Sequence, residues 1–110
     1  MATPVASTDA GRRFVGALLA SAERAGCAVT VGHELHSDWH SATFHGGRHR
    51  MVVSAPVSAA FEAWLEALPG EDLDTPGQLV AEVDVADRRE LNGTAAAFLA
   101  AWTVADPATP

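Results

Sequence analysis

HELHSDWHSATFHGGRHR, residues 33–50, carries all five histidines of the chain. Its conformation decides how many strands the protein has and whether those imidazoles converge. Read as a helix, the stretch puts His33, His36 and His40 at i, i+3 and i+7 on one face, a spacing on which zinc ligands can gather. The residues just upstream oppose that reading. Cys27, Val29, Val31, His33 and Leu35 share one parity and Ala28, Thr30, Gly32, Glu34 and His36 the other, which is the alternation of a strand, and no capping residue opens a helix there.

The extended reading divides the region into three strands, roughly 27–36, 39–45 and 48–55, joined by turns at Ser37-Asp38 and Gly46-Gly47. Gly-Gly accepts the positive φ angles of a two-residue hairpin, and two-residue turns fix the register by counting. One face then stacks Leu35, His40 and Val53, next His33, Ala42 and Met51, then Val31, Phe44 and His49, and is mostly apolar. The other collects His36, Trp39, His45, Arg48 and Arg50 and is mostly polar. Pleating scatters the histidines, so neither a metal nor another cofactor is expected. His33, His40 and His49 fall on the buried side, either as neutral core histidines with one hydrogen-bond partner each or as the lining of a pocket between sheet and helices.

The flanks supply the helices. Phe14, Val15, Leu18, Leu19, Ala22 and Ala25 recur at helical spacing, with Ser7 or Thr8 as N-cap, Asp9 near the positive end and Gly26 as stop. The paired arginines and apolar run of GRRFVGALLASA, residues 11–22, imitate an export signal. The run is short, however, and Glu23 and Arg24 stand where small cleavage-site residues belong. In SAPVSAAFEAWLEALPG, residues 54–70, Phe61, Trp64, Leu65 and Leu68 form one stripe and Glu62 and Glu66 another, a helix ended by Pro69-Gly70. An acidic Pro-Gly loop follows at 71–78.

The last third poses a choice, because TAAAFLAAW has the alanine content of a helix while Asn92-Gly93 is a strong hairpin signal. Folding at Asn92-Gly93 sets Ala81, Val83 and Val85 opposite Val104, Trp102 and Ala100, an apolar face, and favours two strands. The expected fold is therefore α+β, a single-domain two-layer sandwich. It has an antiparallel sheet of about five strands with two helices on one face, in the order α-β-β-β-α-β-β, a helix being the alternative for the last strand. Residues 1–7 and 105–110 read as flexible tails.

Charge narrows the function. The net charge is −7, every basic residue is Arg, and residues 56–110 set ten acids against Arg88 and Arg89. A polyanion is repelled by such a surface, so nucleic acid is not an expected partner. No segment is apolar for long enough to cross a membrane. The lone Cys27 suits a reducing cytoplasm, and the residue bias suits a GC-rich bacterial genome. Glycine-rich phosphate loops, G-x-S-x-G elbows and C-x-x-C pairs are absent from the sequence. Two functions follow. One is a non-catalytic interaction or adaptor module that binds a protein or itself, as a homodimer, through Trp39, His36, His45, Arg48 and Arg50. The alternative is a small-ligand or metal-binding protein or enzyme with a pocket lined by His33, His40 and His49.

Overall fold

The computed structural model describes residues 9–105. A first helix, α1 (Asp9–Arg24), precedes a long hairpin of β1 (Thr30–His40) and β2 (His45–Pro56). Helix α2 (Ala59–Ala67) runs into a single 3-10 turn, Leu68–Gly70, and a second hairpin, β3 (Gln78–Leu91) and β4 (Thr94–Ala105), completes the chain. The four strands form one antiparallel sheet in the order β1-β2-β4-β3. The class is the expected α+β sandwich. The sheet has one strand fewer than expected, and the order is α-β-β-α-β-β. The tails and the N-cap of α1 lie outside the described residues, except that Ala105 closes β4.

The missing strand comes from the two turns expected in residues 33–50. Ser37 and Asp38 continue β1, and the chain reverses later, where the Ser41 hydroxyl accepts from the backbone N–H of Phe44 at 3.0 Å. Gly46 and Gly47 are strand residues on β2, used for close approach instead of for positive φ. A Cβ at Gly46 would lie 1.8 Å from the Thr103 carbonyl oxygen and 2.9 Å from Trp39 Nε1. A Cβ at Gly47 would lie 2.7 Å from the His49 ring. Each face of the strand is thus bare where another side chain passes.

Beyond the turns, three irregularities set which way side chains point. In β1, His33 takes φ 51° and two residues, His33 and Glu34, oppose one on β2, so parity inverts at this bulge. In β3 the register shifts again at Asp87, also at φ 51°, and once more between Val80 and Glu82. The Asn92-Gly93 hairpin is present as expected, both residues at positive φ, with Leu91 opposite Thr94. The irregularity at Asp87 places Val83 opposite Ala101 and Val85 opposite Leu99, which corrects the pairing counted from the turn.

Both helices cover the same face. Phe14, Leu18 and Ala22 of α1 and Phe61, Trp64 and Leu65 of α2 meet Met51, Val53, Ala55, Ala95, Ala97, Leu99 and Ala101 of the sheet. Burying each large apolar side chain contributes ~1.5–3 kcal/mol. Alanines at alternate positions of central β4 keep that strand's inner surface flat beneath the helices, which is why an alanine-rich segment becomes a strand here. Ser58 caps α2, accepting from Phe61 N–H at 3.0 Å, and Ser21 of α1 accepts from Trp64 Nε1–H at 2.9 Å.

Candidate functional site

Among the described residues, the helices pack on one face of the sheet and leave the opposite face open. By strand alternation it presents Leu35 and Trp39 from β1, Arg48 and Arg50 from β2, Phe98 and Trp102 from β4, and Glu82 and Asp84 from β3. Phe98 and Trp102 are each 36% exposed and Leu35 is 48% exposed. The Arg48 guanidinium carbon lies 5.0 Å from the centre of the Trp102 ring, a cation–π contact. Trp39 meets Trp102 edge-on with centroids 6.2 Å apart, and its Nε1–H donates to the Thr103 carbonyl at 3.0 Å across the gap left by Gly46. Two hydrogen-bonded or stacked indoles and a guanidinium thus stand pre-ordered on a solvent-facing surface. Among the described residues, Arg48, Arg50, Glu82 and Asp84 form no ion pair within the chain.

A second cluster is buried under α1. His36 and His49, both fully enclosed, bring their Nδ1 atoms to 2.8 Å. His36 Nε2 lies 2.9 Å from Glu34 Oε1, and His49 Nε2 lies 2.9 Å from Thr103 Oγ1. Phe14 stacks on His49 with centroids 5.1 Å apart, and Gly11 passes so close that a Cβ there would meet the His36 ring at 2.6 Å. One proton arrangement satisfies the chain with both rings neutral. His36 Nε2–H donates to the Glu34 carboxylate, His49 Nδ1–H donates to His36 Nδ1, and the Thr103 hydroxyl donates to His49 Nε2. The Thr103 oxygen in turn accepts from the Gly47 N–H at 3.2 Å. Burial, then the neighbouring His36, lowers the His49 pKa from 6.5 to about 4, with Asp38 partly opposing. Every ring nitrogen of the pair is taken, so neither imidazole offers a lone pair to a ligand.

The residues expected at the two sites sort differently in the structure. Trp39, Arg48 and Arg50 are on the open face as expected. His36 is not: the bulge at His33 turns it inward, onto His49. His45 has helix-side parity and stacks with His40 at the hairpin mouth, centroids 5.9 Å apart and both exposed. His33 is exposed in the bulge, so His33, His40 and His49 do not share a pocket. Among the described residues no three His, Cys, Asp or Glu side chains converge as metal ligands. Trp102, Phe98 and Leu35 were missed as face residues, and Glu34 and Thr103 as partners of the histidines. The alternation of Phe98 and Trp102 with Ala97, Leu99 and Ala101 puts the two aromatics on one face of the strand, but the sequence does not say which face the helices cover.

No family model, no curated protein and no solved structure matches this chain. Among the described residues no helix is long and apolar enough to cross a membrane.

Proposed function

We propose that the chain is a non-catalytic interaction module that associates with itself through the open face of its sheet. The observation that carries this reading is the ordered Trp39–Trp102–Arg48 cluster on a face that, among the described residues, no second layer covers. Trp and Arg dominate binding hot spots, because each buries a large surface while keeping a directed polar group. A catalytic role for the histidines has less support, since the two buried rings are fully hydrogen-bonded to protein groups and the other three are exposed and apart from them. A cytoplasmic setting in a bacterium belongs to the same reading and rests on the lone Cys27 and the residue bias.

Sedimentation equilibrium tests it. The wild-type chain is expected to dimerise, and Trp102→Ser to be monomeric with an unchanged far-ultraviolet spectrum. Glu66→Arg, on exposed α2, is expected to dimerise like the wild type. A wild-type chain that stays monomeric at every concentration, or a Trp102→Ser chain that dimerises equally well, overturns the reading.

A further inference from the structure

The open face has an ordered charge pattern across its strands. Arg48 pairs with Trp102 on β4, and Trp102 pairs with Glu82 on β3. One step along, Arg50 pairs with Ala100, and Ala100 with Asp84. Each row therefore runs positive, neutral, negative, with β4 in the middle. Strands in a sheet are ~4.8 Å apart, so within one chain each arginine stands ~10 Å from its row's acid, and the bulk of Trp102 lies between Arg48 and Glu82.

From this pattern we infer that the partner is a second copy of the chain, packed face to face about a two-fold axis that lies parallel to the strands over β4. The inference rests on the self-association reading above. Rotation about that axis exchanges the positions of β2 and β3 while keeping the level along the strands. Arg48 of each copy then sits over Glu82 of its partner copy, and Arg50 over Asp84. Trp102 and Phe98 of the two copies meet on the axis. An axis perpendicular to the strands instead lays β2 on β2 and β3 on β3, arginine on arginine and acid on acid, which charge repulsion disfavours. A two-fold contact is self-complementary by construction, so the arrangement closes as a dimer and leaves no end for further growth. Three overlapping strands of 12–14 residues cover on the order of 600 Å² per copy at ~3.3 Å per residue and ~4.8 Å per strand, the lower part of the standard range for stable interfaces.

Charge exchange between copies tests the arrangement. Arg48→Glu with Arg50→Glu makes one all-acidic face, and Glu82→Arg with Asp84→Arg makes one all-basic face. Each variant alone is expected to be folded by circular dichroism and monomeric, its dimer Kd raised about a hundredfold or more by the like charges. An equimolar mixture is expected to form the heterodimer, seen by native mass spectrometry, and one chain carrying all four changes is expected to form a homodimer again. Variants that dimerise as tightly as the wild type overturn this axis, and so does a mixture that stays monomeric together with a four-change chain that also stays monomeric. The open-face reading then stands if Trp102→Ser still dissociates the wild-type dimer. A monomeric wild type removes both.

Discussion

His36 and His49 face each other Nδ1 to Nδ1 at 2.8 Å, a contact that holds only while at least one of the two facing nitrogens is unprotonated. Burial lowers His49 from 6.5 to about 4, below its value in an unfolded chain. The unfolded state therefore takes up the proton first. This group's contribution is complete above about pH 6.5, declines as pH falls through the interval from 6.5 to 4, and is gone below it. A gap of about 2.5 pH units corresponds to about 3 kcal/mol. Urea unfolding of the wild type and of His49→Gln at pH 7 and pH 4 is expected to show the wild type losing about that much more than the variant. Parallel losses in the two chains contradict the account.

Thr103 carries two of the contacts that end this buried chain, to His49 Nε2 and to the Gly47 N–H. Thr103→Val keeps the shape and removes the hydroxyl, taking the partner from His49 Nε2 and one contact from the Gly47 N–H. Denaturant unfolding at pH 7 is expected to show a loss of about 1–3 kcal/mol. A neutral result means the ring nitrogen has another partner.

Three glycines predict opposite signs. Gly46→Ala drives a methyl group into the Thr103 carbonyl and displaces the Trp39 indole, and Gly11→Ala drives one into His36. Each is expected to cost about 1–3 kcal/mol or more. Gly16, exposed in α1 with nothing within 4 Å of a Cβ, is expected to gain about 0.5–1 kcal/mol on change to Ala. Thermal midpoints of the three variants measured side by side check the order.

The fold was legible in the sequence where local signals are strong. The apolar stripes through Phe14–Ala22 and Phe61–Leu68, and the Asn92-Gly93 turn, each give the element the structure contains. What escaped depends on contacts remote in sequence. His33 and Asp87 take positive φ without being glycine, so nothing local announces the bulges that reverse or shift parity. That single inversion moved His36 from the expected outer face to the core. Gly46-Gly47 has the composition of a turn, and its purpose is visible only once Thr103 and Trp39 are placed beside it. For the site, Trp39, Arg48 and Arg50 were reachable by counting. Trp102 was not, because the bulge at Asp87 changed its β3 neighbour from Val83 to Glu82 and both faces of β4 look apolar in sequence.

The open face is expected to be covered when the chain associates, and Trp102 reports on it directly. In a Trp39→Phe chain the remaining indoles are Trp102, 36% exposed, and Trp64, buried at 3%. Acrylamide quenching is to be followed from dilute monomer to the concentration at which sedimentation gives a dimer. The accessible component, present in the monomer, is expected to be lost in the dimer, with the Trp64 component unchanged. Quenching that stays constant while the mass doubles would mean the face remains open and the copies meet elsewhere.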